Sequence, residues 1–404
     1  MTKAVEHQLV RVFRAETPSD VICACLVANT LPAGDDVLVV CADSSHGQTQ
    51  EYLDCLSVLA KMHNWKATVD VSGLSLGQFE HPAKTIKGKW YGLQHTLSVM
   101  SELRYRLAVA LNIPPDDDRL KERLDGRVDE LYLAYLLHPD AHSFCKIFPG
   151  ARKIYYPHTF DSLMQCEVGD YAPVCDPALA SKLSPHKLAL DWVKEILFGE
   201  DSVPLRHLRI DGAYTFKASM PWAAEQHCLS KVISRQTMSD LFHSLPAPAQ
   251  GYYQGLASDC GPDVGVLLLA PEDRAYEEEA EGYLLLAGHL VNDGARSILV
   301  KPHSRNGAKW LSRILDELGR RLSDVKLVVA REHYFYPVEV ILSPFRLTAC
   351  AGMGSTSLST LRKIYGVRSY CPEGMLLKAY ADDPIRLGFL TRWIAECSGD
   401  YIAV

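Results

Sequence analysis

Long apolar runs are missing from this chain: no stretch reaches the roughly 18 residues that a membrane-spanning helix requires. Positive charge is not in excess either. Lys and Arg number 42 against 49 Asp and Glu, giving a formal charge of -7, which argues against nucleic acid as a partner. The twelve cysteines form no CxxC pair. They read as small, reduced, buried side chains, and no metal site is expected. Residues 1–8 are polar, without the basic-then-apolar pattern of an export signal, so the expectation is a cytoplasmic protein. Low-complexity tracts are absent as well. What remains is 404 residues with 48% hydrophobic side chains, too many for one typical core and suited to two domains of about 200 residues each.

Apolar runs of strand length alternate with amphipathic stretches of helical period. Strands are predicted over 9–13, 36–41, 65–71, 131–135 and 153–156. Helices are predicted from Thr17-Pro18-Ser19-Asp20 to about residue 29, along a face made by Tyr52, Cys55, Leu56, Leu59 and Met62, over 90–111, and over 138–148. The stretch 170–262 is less regular, with helices predicted at 187–198 and 223–244 and a short strand at 208–210. A second βα series follows: strands at 264–269, 297–300, 325–329 and 346–350, with helices at 276–291, 308–321, 338–342 and from about 358. The acidic run Glu277, Glu278, Glu279 and Glu281 reads as a solvated face near a helix N-terminus. Strand–helix alternation in both halves predicts two facing doubly wound, Rossmann-like domains with a cleft between them, divided as 1–258 and 259–404, the last helix packing back on the first domain.

Two polar turns stand at the ends of predicted strands of the second half. Lys301-Pro302-His303-Ser304-Arg305 follows Ser297-Ile298-Leu299-Val300 and sets Lys, His and Arg donors at the carboxyl edge of a sheet, where open α/β folds bind ligands. About fifty residues on, Gly352-Met353-Gly354-Ser355-Thr356-Ser357 sets hydroxyls and backbone N–H groups before a helix, an arrangement suited to an anion. The same residues also suit an ordinary turn and a Ser/Thr N-cap. The Gly352–Ser357 turn does not have the Gly-x-Ser-x-Gly form of a serine-hydrolase elbow, which disfavours that chemistry there.

Leu267-Leu268-Leu269 running into the acid-rich helix, then Ile298 to Arg305, then Ser355-Thr356-Ser357 resembles the nucleotide-binding half of bacterial sialyltransferases, nearest the α-2,8-polysialyltransferase family. The resemblance covers about 260–375 and, in the first half, only the order of elements. Pro302 precedes and Ser304 follows the histidine where the family more often has His-Pro, and the Asp/Glu-Asp/Glu-Gly turn that carries the family's base is absent. The resemblance implies a GT-B fold and an inverting, metal-independent transfer of a sialic acid or related sugar acid such as Kdo from CMP to a surface glycan or glycolipid. No cofactor beyond that donor is implied. Peripheral contact with the inner membrane goes with a glycolipid acceptor.

Under that implication His303 assists departure of CMP, Lys301 or Arg305 holds nucleotide or sugar charge with Pro302 beside them in the nucleotide site, and Gly354, Ser355, Thr356 and Ser357 grip the phosphate. The acceptor hydroxyl needs a base from the first domain. Asp161, in Pro157-His158-Thr159-Phe160-Asp161-Ser162, ranks first by position, with His158 as the nearby substitute and Asp211 of Ile210-Asp211-Gly212 third; Asp161 also suits an N-cap. Two other readings stay open: a UDP-sugar-dependent GT-B transferase or epimerase, and a catalytically inactive protein of the same fold that binds glycan.

Overall fold

The computed structural model describes residues 9–41, 50–71, 128–134, 147–158, 210–215, 225–229, 233–270, 276–303, 306–333, 335–355, 357–379 and 401–404, with residues 124, 144, 145, 391 and 394. The helices predicted over 90–111 and 187–198, and the last helix expected to pack back on the first domain, lie outside or largely outside these residues.

The first half contributes β1 (Val10–Ala15), α1 (Pro18–Ala28), β2 (Asp35–Val40), α2 (Gln50–Ala60), β3 (Ala67–Asp70), β4 (Glu130–Leu133), β5 (Arg152–Tyr155), β6 (Gly212–Thr215) and β7 (Glu225–Cys228). Its seven strands pair in parallel in the order β3-β2-β1-β4-β5-β6-β7. After α3 (Arg235–Ser244) and α4 (Ala247–Cys260), the second half supplies β8 (Val264–Leu268), α5 (Tyr276–Asn292), β9 (Ser297–Lys301), α6 (Ala308–Arg321), β10 (Lys326–Val329), α7 (Val338–Ile341), β11 (Leu347–Gly352), α8 (Ser357–Tyr365), β12 (Arg368–Cys371), α9 (Glu373–Ala379) and β13 (Ile402–Ala403). These six strands are also parallel, in the order β10-β9-β8-β11-β12-β13. Both sheets therefore carry the doubly wound order that reverses beside the first strand of each half. The chain has two Rossmann-like domains in the GT-B manner.

Local chemistry accounts for the helices that matter to the site. Helix α1 starts with a capping box in which Thr17 Oγ1 accepts the Asp20 N–H at 3.2 Å and the Asp20 carboxylate accepts the Thr17 N–H at 2.9 Å, with Pro18 in the first turn. Pro18, Asp20 and every residue from 21 to 28 are buried, so α1 is wrapped on all sides rather than laid on a surface. Helix α6 shows the contrary pattern: Trp310, Ile314 and Leu318 recur every four residues and are buried, while Lys309, Arg313 and Arg320 face water. Apolar packing is continuous between the halves, since one cluster of buried side chains takes in Phe13 and Tyr52 together with Tyr253, Leu268 and Val300. Helix α3 packs on α7, and α4 packs on β9 and β10.

Two local expectations need correction. The helix predicted over 223–244 begins only at Arg235, where the Ser234 hydroxyl accepts the Thr237 N–H; the preceding Glu225–Cys228 is the exposed edge strand β7, drawn into strand by pairing with β6. Of the short strand expected at 208–210 only residue 210 lies within the described residues, and β6 starts at Gly212. Glu279 is not part of a solvated face. Its side chain is buried and accepts the Trp310 indole N–H at 2.8 Å, whereas Glu281 is exposed as expected. A run of four acids reads as one surface in sequence, yet a helix turns each by about 100° and delivers one inward.

Candidate active site in the interdomain cleft

Every strand of a doubly wound sheet points its carboxyl end to the same side, so the loops that follow the strands near the reversal of strand order form one crevice per domain. Here the two crevices face each other across a cleft of about 260 Å³. From the first domain come Thr17, Pro18 and Ser19 at the start of α1, Tyr52 of α2, and His158 after β5. The second contributes Leu268 and Leu269 after β8, Lys301 to His303 after β9, Phe335 to Glu339 ahead of and within α7, and Ser355 and Ser357 after β11. That volume is slightly below the roughly 300 Å³ at which small-molecule sites start.

On the first-domain wall, Asp20 is fully buried and each of its carboxylate oxygens is engaged. Oδ2 accepts the backbone N–H groups of Glu16 and Thr17 at 2.8 and 2.9 Å, and Oδ1 lies 2.6 Å from His158 Nδ1. Burial alone would push this carboxyl up. The charge and hydrogen bond of His158, the nearby Arg14 guanidinium and the Glu16 N–H outweigh it and hold Asp20 below the ordinary carboxylate range. An ionised Asp20 keeps the proton of a neutral imidazole on Nδ1, which makes Nε2 the basic nitrogen of a ring that lines the cleft. Arg14, itself buried, donates to the Glu16 carboxylate at 2.6 Å, and the Tyr52 hydroxyl donates to the Glu16 carbonyl at 2.9 Å.

On the opposite wall, Lys301 ends β9 with its ammonium drawn inward. Burial lowers it to about 8 against the opposing pull of the Glu339 carboxylate, so near neutral pH it is a cation that gains from meeting an anion. The turn after it is locked by Asn306: the Asn306 side-chain oxygen accepts the His303 N–H at 2.7 Å, and its amide donates to the Ala270 carbonyl at 2.8 Å. Glu339 is buried and accepts the Thr360 hydroxyl at 2.7 Å. Ser355 and Ser357 stand at the first turn of α8, where backbone N–H groups are without intrahelical acceptors and the helix dipole favours negative charge.

The glycines of that turn serve different needs. Gly352 pairs with Leu268 across the β8–β11 contact, and a side chain there would sit 3.1 Å from Leu268 Cβ. Gly354 has φ +71, in the left-handed region. Gly354→Ala should therefore cost about 1–2 kcal/mol of stability through backbone strain. Urea unfolding checks this; an alanine variant as stable as the parent would show that the turn does not depend on glycine.

Of the residues singled out from sequence, the structure gathers Lys301, Pro302, His303, Ser355, Ser357 and His158 around one cleft. Gly354 lies next to Ser355. Asp161, Arg305 and Thr356 fall outside the described residues. Asp211 is not brought to the cleft: it precedes β6, at the amino ends of the strands, where its carboxylate accepts the Lys153 N–H at 3.0 Å and its own N–H meets the Lys153 carbonyl. Asp20, Tyr52, Asn306 and Glu339 were not anticipated. The Thr17-x-x-Asp20 capping pattern was a readable signal for a helix start, but nothing local ties Asp20 to a histidine 138 residues away. Among the described residues no three His, Cys, Asp or Glu side chains group as a metal site, and no helix is long and apolar enough to cross a membrane.

No protein-family model and no curated protein matches the chain. Solved structures do. The UDP-GlcNAc 2-epimerase of Methanocaldococcus jannaschii shares 7% identity over 96% of this chain and 91% of that one, with a TM-score of 0.46. The UDP-GlcNAc 2-epimerase of Neisseria meningitidis bound to UDP-GlcNAc shares 10% over 95% and 94%, at 0.44. Os79 from O. sativa in complex with UDP shares 12% over 97% and 92%, at 0.41. At these identities and scores the likeness carries no argument for what this chain does. These structures are UDP-GlcNAc 2-epimerases and a UDP complex rather than sialyltransferases, and on that finding the resemblance to the polysialyltransferase family is corrected. With it go the CMP-activated sugar acid as donor and the assignment as a CMP-sugar-dependent sialyltransferase.

Proposed function

We propose that this chain binds a nucleoside diphosphate sugar in the interdomain cleft and breaks its anomeric C–O bond. The observation that carries the reading is the placing of the Asp20–His158 pair on one wall and of an anion-binding set, Lys301 with Ser355 and Ser357 at the α8 N-terminus, on the other. A hydroxyl held between the walls passes its proton to His158 Nε2 while its oxygen attacks C1, and the bonding pair of the C1–O bond leaves with the diphosphate. Lys301, the two serines and His303 meet the charge that develops on the leaving group, a contribution of about 3 kcal/mol for one preorganised donor. Asp20 stabilises the imidazolium that His158 becomes.

UDP is the nucleotide to try first, being the one in the structures named above; the proposal rests on the cleft and not on them. Heat unfolding with UDP, CMP, GMP and no nucleotide tests the binding. A ligand at about 100 times its Kd adds roughly 2.7 kcal/mol to the folded state. UDP should raise the transition, and release of UDP from UDP-sugars should follow in a coupled assay. Because the Lys301 ammonium is lost as pH rises through about 8, UDP affinity should fall between pH 7 and 9, and Lys301→Met should bind weakly without that dependence. Stabilisation without turnover would leave a binding protein of this fold, and no stabilisation by any nucleotide would overturn the proposal.

A further inference from the structure

One side chain belongs to both walls of the cleft. Tyr52, in the first turns of α2, is 1% exposed, and its ring meets Phe335 of the second domain edge-on at 5.1 Å between centroids. Its hydroxyl donates to the Glu16 carbonyl at 2.9 Å, and the Glu16 N–H donates to Asp20 Oδ2 at 2.8 Å. Asp20 Oδ1 then meets His158 Nδ1 at 2.6 Å. On the other side, the loop that carries Phe335 is itself gripped. The Tyr252 hydroxyl accepts the N–H groups of Arg331 and Glu332 at 2.8 and 3.1 Å, and the Tyr253 hydroxyl donates to the His333 carbonyl at 3.0 Å. His333 adopts φ +53, a left-handed backbone uncommon outside glycine, in which histidine is among the enriched residues.

From this unbroken chain of contacts we infer that Tyr52 is a positioning residue that sets the orientation of the His158 imidazole, through Glu16 and Asp20, according to where the second domain holds Phe335. The physical basis is the stiffness of each link. Glu16 is clamped by its carbonyl, by its N–H and, through Arg14, by its carboxylate. A displacement of the Tyr52 ring is thus passed to Asp20 rather than absorbed. Tyr52 touches no reacting atom in this scheme. It aligns the base with the wall that binds the nucleotide, so that a second domain drawn in by its ligand and a correctly held base come together. The inference rests on the reading of His158 as the base.

The test uses the full chain and Tyr52→Phe, which keeps the ring against Phe335 and removes only the hydroxyl, with Phe335→Leu as a second variant. The ring 15N shifts of His158, assigned by their absence in His158→Gln, report the balance of its two neutral tautomers without any need for turnover. In Tyr52→Phe the excess of the Nδ1–H form should fall about fivefold, the worth of one neutral hydrogen bond. Phe335→Leu should move it in the same direction by less. With a UDP-sugar as substrate, kcat of Tyr52→Phe should fall about fivefold while KM for the donor stays within about twofold. Unchanged tautomer balance and kcat in Tyr52→Phe overturn the inference even if the parent enzyme turns over. Should the parent release no UDP, the reaction proposed above fails, and the tautomer measurement still decides for or against Tyr52.

Discussion

His158→Gln is expected to lower the release of UDP from a UDP-sugar by about a thousandfold, the middle of the range for a positioned general base, while leaving UDP binding within about twofold of the parent. The asymmetry follows from geometry. His158 stands on the first-domain wall, whereas the anion-binding residues lie on the second, so the substitution removes a proton acceptor without touching what holds the nucleotide. Glutamine is the informative replacement because its amide can still donate to Asp20 Oδ1, which keeps the α1 cap and the local fold. Initial rates and isothermal titration on the same preparation separate the two effects. A variant that loses nucleotide binding and turnover together would place His158 in the binding wall instead, and one that keeps full turnover would remove it from the chemistry.

Asp20→Ala should destabilise the protein by about 3–5 kcal/mol, the cost of leaving the Glu16 and Thr17 N–H groups and the His158 Nδ1–H without their acceptor. The carboxylate caps α1, bonds the Glu16 and Thr17 N–H groups and faces both His158 and the field of Arg14, so no relaxed water structure can replace it at a fully buried position. The cap alone would be worth about 1 kcal/mol. Acid should reproduce part of the effect. The folded-state carboxyl of Asp20 is held below its unfolded value, so as pH falls through about 4 the unfolded chain takes up the proton first. The stability that Asp20 contributes is therefore complete above that pH and is lost progressively as pH drops towards the lower folded value. Urea unfolding at pH 7 and at a series of acid pH values checks both statements. An alanine variant as stable as the parent, or one with the same acid dependence, would show that the pair holds neither helix nor histidine.

How much of this was legible beforehand differs between fold and site. Helix α6 was readable to its ends because Trp310, Ile314 and Leu318 repeat at helical spacing between polar neighbours, and β8 and β9 because short apolar runs end in turns. Edge strand β7 was not, since Glu225-Gln226-His227-Cys228 has no strand pattern and owes its conformation to β6. Lys301, His303, Ser355 and Ser357 could be singled out because the first ends a strand and the others follow one by two to five residues, a local relation that survives in the letters. Glu279 misled for the opposite reason: its neighbours are acids, but its own direction from α5 is inward, to Trp310.

Hydrophobic periodicity and turn chemistry act within a window of one or two turns, and such short-range rules were enough for two parallel sheets, most element boundaries and the second-domain wall of the cleft. Contacts between Asp20 and His158, between Tyr52 and Phe335, and between Asn306 and Ala270 join segments that are 36 to 283 residues apart. They exist only because parallel strands bring their carboxyl ends to one side and two such edges are turned to face each other. Which histidine acquires a carboxylate partner, and which carboxylate stays ionised in the dark of the core, was settled by that packing, since charge and desolvation depend on distance through space and not along the chain.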